Sequence, residues 1–165
     1  MAAENSFDVV SEVSLMEVSN AVQQAMKEIR QRFDFKGSAS DIKLEGESLT
    51  LLSDDESKLK AVTDIVQTKL AKRGVSLRAL SYGKIEPAAK GTVRQAVTVR
   101  RGIEAEKARE IVKFVKSLGI RVQAQMQESQ VRVSGKNRDD LQAVIQRLKA
   151  QDFGIDLQFT NYRSS

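Results

Sequence analysis

The feature that most constrains the fold is an internal duplication, in which one order of strands and helices occurs twice along the chain. In each half, a strand of alternating apolar residues precedes a helix, two strands, a second helix and a last strand. The segment Ser53–Val62 (SDDESKLKAV) also matches Ser134–Val144 (SGKNRDDLQAV). The order β-α-β-β-α-β is that of the ferredoxin-like arrangement, so the sequence predicts two tandem α+β units of this type.

The repeats join near Pro87, the only proline in the 165 residues. The predicted division is therefore a first unit at residues 1–82, a linker at 83–91 and a second unit at 92–165. The halves differ in charge: residues 1–82 carry 11 basic and 13 acidic side chains, and residues 83–165 carry 16 and 9. This asymmetry favours the second half as the partner of an anion, although an ordinary solvated basic surface fits the count equally well.

Composition limits the chemistry, because the chain has neither cysteine nor histidine. Disulfides, thiolate metal sites and the usual neutral-pH base are excluded, so we expect a binding protein with no catalytic residue and no metal ligand. The sequence contains no apolar run of about 20 residues and begins with no export signal. We therefore expect a cytoplasmic protein without a membrane partner.

The first half contains an insertion at Arg32–Ser40 (RFDFKGSAS), where the second half has only Gly119. Aromatic and cationic residues together are typical of a loop that stacks on a base and holds phosphates. We predict this role for Phe35 and Lys36, with Phe33 in the core. The alternative is an ordinary helix end whose cations complement the helix dipole.

The segment Ser134–Arg138 (SGKNR) lies between a strand and the start of a helix. Backbone N–H groups at such a position suit a phosphate, with Lys136 and Arg138 as partners. It is not a Walker A loop, which needs a further glycine upstream and a Ser or Thr after the lysine. Simple capping of the helix by Asn137 explains the same residues.

Polar side chains line one side of two adjacent strands in the second half, where an RNA-recognition sheet would carry aromatic residues. Such a face could hydrogen-bond phosphates or base edges, or be an ordinary solvated surface. Arg73, in the last turn of the second helix, is a further candidate phosphate ligand, although cations are expected there regardless. The candidates on the strands are Arg121, Gln123, Gln125 and Arg132.

Several blocks resemble the YajQ family of bacterial proteins over Ser6–Arg163. They are SFDVVSEV, RFDFKG, KRGV, VQAQMQ, VRVSGKNRDDLQAV and QFTNYR. The resemblance implies two ferredoxin-like domains that exchange their first strands, residues 7–13 and 93–100. It also implies nucleotide binding, with cyclic di-GMP among the ligands and links to RNA, and it brings no catalytic residues. The stretch Ser81–Thr92 is shorter than the family pattern and less similar to it.

Three hypotheses follow. The first is a nucleotide-binding regulatory protein whose ligand belongs to the GTP, ATP or cyclic di-GMP class. The second is a sequence-tolerant RNA-binding protein, and the third is a protein-interaction module whose partner is regulated by the ligand. We expect no cofactor beyond such a nucleotide.

Overall fold

The computed structural model of this chain describes residues 4–164, which form two four-stranded antiparallel sheets and four helices. The α+β class with two ferredoxin-like units is confirmed. The elements are β1 (Asn5–Val10), α1 (Leu15–Gln31), β2 (Asp41–Glu45), β3 (Ser48–Ser53), α2 (Glu56–Lys72), β4 (Leu80–Pro87), β5 (Val93–Val99), α3 (Ala105–Ser117), β6 (Gln123–Gln127), β7 (Gln130–Gly135), α4 (Arg138–Ala150) and β8 (Gln158–Arg163).

Each sheet takes one central strand from the opposite half of the chain. The strand orders are β6-β7-β1-β8 and β2-β3-β5-β4. Strand β1 therefore pairs with β7 and β8, and β5 pairs with β3 and β4. The first strand of each repeat completes the sheet of the other repeat.

Two compact units result. We call residues 1–12 with 101–165 the discontinuous unit, and residues 13–100 the contiguous unit. The division at 1–82, 83–91 and 92–165 is therefore replaced by boundaries at 12/13 and 100/101. Residues 83–91 are part of a β-hairpin and not a linker between units. They contain the end of β4 and a tight turn, and Pro87 pairs with Val93 in the β4–β5 ladder.

The core of the discontinuous unit follows from strict alternation along β7. Val131 and Val133 are fully buried, whereas Arg132 between them lies on the opposite face of the sheet. Leu141 and Leu148 of α4 pack in the same cluster as these valines. The sheet therefore has one face covered by helices and one polar face, as expected for an antiparallel sheet.

Local signals place most helix starts. Ser14 caps α1 and accepts a hydrogen bond from the Glu17 backbone N–H at 3.3 Å. Strand β1 ends at Val10 rather than at Val13, because the chain leaves the sheet and enters the contiguous unit there. Across residues 4–164, no helix is both long enough and apolar enough to cross a membrane.

Candidate functional site

A cleft of about 480 Å³ opens in the discontinuous unit beside the first turn of α4. We call it the α4 cleft. It lies where β7 ends and where the chain approaches β6. Its lining consists of Glu4, Arg121, Val122, Gln123, Ser134, Gly135, Lys136, Asn137 and Asp140.

The floor of the α4 cleft depends on Gly135. A Cβ atom at this residue would stand 3.1 Å from the Arg121 carbonyl oxygen and 3.1 Å from Val122 Cγ1. The missing side chain therefore lets the segment before β6 lie against the end of β7. The next residue is also fixed, because its carbonyl, that of Lys136, accepts a hydrogen bond from Asn5 Nδ2 at 3.2 Å.

The start of α4 forms one wall. The side chain of Asn137 caps this 13-residue helix and accepts a hydrogen bond from the Asp139 backbone N–H at 2.8 Å. The predicted capping role of Asn137 is confirmed. Helix starts carry unpaired N–H groups and a partial positive charge, which favour an anion nearby.

The α4 cleft unites three of the predicted ligands, Arg121, Gln123 and Lys136. Its charges are mixed, since the carboxylates of Glu4 and Asp140 line it together with the two cations. Such a lining can accept hydrogen bonds as well as donate them, so it is suited to a ligand that carries both phosphate oxygens and N–H donors.

Arg138 is not among the lining residues, although it begins α4. Its guanidinium carbon lies 5.9 Å from the centre of the Tyr162 ring on β8. At this distance a cation is attracted by the face of the ring. The structure therefore directs Arg138 toward β8 rather than into the α4 cleft.

Arg132 belongs to a polar network on the face of the same sheet that is opposite its helices. Its Nε donates to Asp8 Oδ1 at 2.9 Å, and Asn161 Nδ2 donates to Asp8 Oδ2 at 3.0 Å. Burial alone would raise the pKa of Asp8, but the hydrogen bonds from Arg132 and Asn161 outweigh it and hold the pKa below its ordinary value. Gln125 lies directly opposite Arg132 in the β6–β7 register, outside the α4 cleft.

The contiguous unit reverses our expectation for the two phenylalanines. Phe33 is 87% exposed, whereas Phe35 is 5% exposed and belongs to the core cluster. They occupy a single turn of 3-10 helix, in which residues two apart point to different sides. The prediction that Phe33 is a core residue is wrong. Phe35 is buried and is not available to stack on a base.

The surroundings of Phe35 explain its position. Arg32 and Lys58 place their charged groups 5.3 and 5.1 Å from the centre of its ring. These cations cover the ring, and Lys36, the next residue, is exposed. Arg73 forms an ion pair with Glu17 at 3.7 Å. Phe35, Lys36 and Arg73 all belong to the contiguous unit, whereas the α4 cleft belongs to the discontinuous unit.

The contiguous unit contains the junction that corresponds to Ser134–Asn137 in the repeat. There, Asp54 accepts hydrogen bonds from the Ala39 backbone N–H at 3.0 Å and from the Ser38 hydroxyl. The Ala39 N–H, followed by the Ser38 hydroxyl, holds the pKa of Asp54 below its ordinary value. In the discontinuous unit, Gly135 and Lys136 stand in place of this carboxylate. One junction thus holds an internal anion, and the other presents a cation.

The charge division changes with the strand exchange. The contiguous unit carries 15 basic and 11 acidic side chains, and the discontinuous unit carries 12 and 11. The positive half of the sequence is therefore not a positive compact unit, because β5 and its flanking cations belong to the contiguous unit. The net charge of the units therefore does not indicate which of them binds an anion. The α4 cleft is a candidate because of its local geometry.

Sequence reasoning missed the two carboxylates of the α4 cleft. Glu4 directly precedes β1, and it reaches the cleft because β1 joins this sheet. Asp140 lies in the first turn of α4, where an acidic residue is expected from the helix dipole alone. Among the described residues, no cluster of three carboxylates could hold a metal ion.

Comparison with known proteins decides the family. A family model described as "Nucleotide-binding protein YajQ-like" matches residues 5–163. The chain belongs to this family. Its curated relatives include a "Nucleotide-binding protein" of Trichlorobacter lovleyi, 56% identical over 158 residues, which span 96% of this chain and 98% of the relative. A relative in Koribacter versatilis is 58% identical over 99% of both chains, and it too is named a nucleotide-binding protein.

A third relative, from Desulfitobacterium hafniense, is 56% identical over 99% of this chain and its own full length. These alignments cover both compact units of the YajQ-like chain. The names of these relatives describe binding of nucleotides and specify no reaction.

Proposed function

We propose that this YajQ-like chain is a non-enzymatic regulatory protein that binds a guanine nucleotide, of the GTP or cyclic di-GMP class, in the α4 cleft. The observation that carries the proposal is the contrast between the two strand–helix junctions. Where the contiguous unit supplies the carboxylate of Asp54, the discontinuous unit supplies Lys136 beside the start of α4.

The phosphates would lie against the cationic part of the α4 cleft. Arg121 and Lys136 offer charged donors, and the start of α4 adds backbone N–H groups and the helix dipole. A volume of about 480 Å³ lies within the range of small-molecule sites. These features support phosphate recognition without any metal.

The carboxylates favour guanine over adenine. The Watson–Crick edge of guanine carries adjacent N–H donors, which a carboxylate such as that of Asp140 can accept together. The corresponding edge of adenine presents only its amino group as a donor. A free polyphosphate would gain nothing from these acids, so the mixed lining supports a nucleotide over a simple anion.

We expect binding without turnover. The chain has no histidine or cysteine, so the α4 cleft lacks the common neutral-pH base and a thiol nucleophile, and no imidazole is present to activate the Ser134 hydroxyl. Binding would then act by changing an interaction with another macromolecule, and cytoplasmic action fits such a role. No cofactor is part of this proposal.

Isothermal titration calorimetry with cyclic di-GMP, GTP and ATP tests the proposal. Lys136→Ala should weaken binding by about tenfold, the effect of losing roughly 1.4 kcal/mol of a charge-assisted contact. Lys116→Ala is the matched control, because Lys116 is exposed at the end of α3 and does not line the α4 cleft. Asp140→Asn should reduce the preference for guanine over adenine.

Two results would contradict the proposal. One is the absence of heat and of competition with all three nucleotides at millimolar concentration. The other is an equal loss of affinity in Lys136→Ala and Lys116→Ala, which would indicate nonspecific charge attraction.

RNA binding on the polar face of the sheet, opposite the helices, is the second candidate. The exposed side chains of Gln123 and Gln125 favour it, because they offer hydrogen bonds to the base edges of an unpaired strand. RNA affinity should fall steeply with salt concentration, whereas binding in a mixed-charge cleft should depend on salt weakly.

A further inference from the structure

The two sheets have four edge strands, and three of them carry features that block pairing with another chain. Strand β2 has charged side chains at Asp41, Lys43 and Glu45. Strand β4 has an irregular register and ends at Pro87. Strand β8 has an irregular register and a positive φ of 53° at Asn161.

The fourth edge, β6, has no such protection. Its sequence, Gln123–Gln127 (QAQMQ), contains no charge, proline or glycine. Its register with β7 is continuous over all five residues. Gln125 and Met126 are exposed, and 41% of Met126 is accessible to solvent. A regular, neutral and exposed edge of this kind is a template for an added strand.

Strand β6 is complementary to a second copy of itself. A twofold axis normal to the sheet, midway between the Gln125 residues of the two copies, would pair all five residues of one copy with all five of the other. It would keep each sheet face continuous, because residues directly opposite each other then share a face. Gln123 would lie opposite Gln127, and the small Ala124 would lie opposite the large Met126.

The charges that flank β6 fit the same arrangement. Arg121 precedes the strand and Glu128 follows it. In an antiparallel pair centred on Gln125, position 121 of one copy lies opposite position 129 of the other, one residue from Glu128. Each end of the pair would therefore hold one cation and one anion, whereas a parallel pair in register would place like charges opposite each other.

We propose that two copies of this chain associate through antiparallel pairing of β6 with β6, which joins two four-stranded sheets into one of eight strands. The neutral strand carries no repulsion against its own copy, and an isologous contact of this kind closes as a dimer without forming a fibre. The proposal does not depend on nucleotide binding, because the pairing uses the backbone of β6.

Sedimentation and light scattering of the full chain without nucleotide test the proposal. We expect a shift from the 18.3 kDa chain mass toward twice that value as concentration rises between about 1 µM and 1 mM, the affinity range of small interfaces. A constant mass of one chain over this range would overturn the proposal. It would leave a strand from an unrelated protein as the alternative occupant of this edge.

Charge exchange at the axis identifies the surface. Gln125→Lys or Gln125→Glu alone should weaken dimerisation by about fivefold or more, since like charges then lie directly opposite each other. An equimolar mixture of the two variants should form a heterodimer that is tighter than either homodimer. Gln146→Lys, on the exposed side of α4, is the matched control and should leave dimerisation unchanged. A mixture that associates no better than its components would refute pairing at Gln125.

The absence of cysteine provides a second readout. Gln125→Cys should cross-link to itself through a short thiol-specific linker, because directly opposed Cβ atoms in antiparallel pairs lie about 5 Å apart. Gln146→Cys should remain uncross-linked at the same concentration. Equal cross-linking of the two variants would indicate random collision and would count against the proposed interface.

Discussion

Replacement of Asp8 by asparagine should destabilise the discontinuous unit, because this carboxylate organises the polar face of its sheet. Asp8 is 1% exposed and accepts hydrogen bonds from Arg132 and Asn161 at 2.9 and 3.0 Å. Asparagine preserves the size of the side chain but removes the charge, and it turns an N–H₂ group toward these donors. The ion pair is partly screened, since 28% of the Arg132 side chain is exposed.

Hydrogen bonds to charged groups contribute about 1.5–3 kcal/mol each, and breaking a fully buried ion pair costs about 3–5 kcal/mol. With the screening of Arg132, we expect Asp8→Asn to lower the free energy of unfolding by about 2 kcal/mol. Arg132→Met should cost a similar amount. The double variant should lose about 1–2 kcal/mol less than the sum of the single variants, because the second change removes a charge that is already unpaired.

The pH dependence has a definite sign. The pKa of Asp8 is lowered in the folded chain from its ordinary value of 3.8, so the folded state favours the ionised form. Its stabilising contribution is present above about pH 4 and is lost as the pH falls through the lowered folded value. The stability difference between the natural chain and Asp8→Asn should therefore shrink from pH 7 to pH 3.

Urea unfolding followed by circular dichroism measures these quantities. Asp64→Asn, at an exposed position on α2, is the control and should change stability by less than about 0.5 kcal/mol. The reasoning fails if Asp8→Asn matches the control at pH 7. It also fails if the loss at Asp8 is the same at pH 3 as at pH 7.

Two further predictions concern the two phenylalanines and the floor of the α4 cleft. Phe35→Ala should lower the free energy of unfolding by about 3–5 kcal/mol, whereas Phe33→Ala should change it by less than about 0.5 kcal/mol. Similar urea midpoints for the two variants would contradict the burial of Phe35 and the exposure of Phe33. Gly135→Ala should lower the free energy of unfolding by about 1–2 kcal/mol, because the added methyl group meets the segment before β6 at 3.1 Å. It should also weaken nucleotide binding measured by calorimetry. Unchanged stability and affinity would show that this contact relaxes freely.

Local patterns predicted most secondary structure because they act within a few residues. Alternation along Val131 and Val133 selects the buried face of β7 without reference to any partner strand. The caps at Ser14 and Asn137 likewise depend on the next two or three residues. The repeated order of elements then gave the ferredoxin-like arrangement of both units.

Partner choice between strands is different, because alternation looks the same whichever sheet a strand joins. Nothing within β1 or β5 distinguishes its own repeat from the other, and only the family resemblance implied the exchange. The exchange then decides which side chains meet. It brings Glu4 to the α4 cleft and Asp8 to Arg132, across separations of more than 100 residues.

The sequence by itself determined the α+β class of this protein, its internal duplication and the absence of histidine and cysteine side chains. Tertiary structure alone decided which cations share a cleft, which phenylalanine is buried and which carboxylates neutralise their neighbours. The physical reason is range. Periodicity and capping are local, whereas charge pairing and burial depend on residues that only the folded sheet brings together.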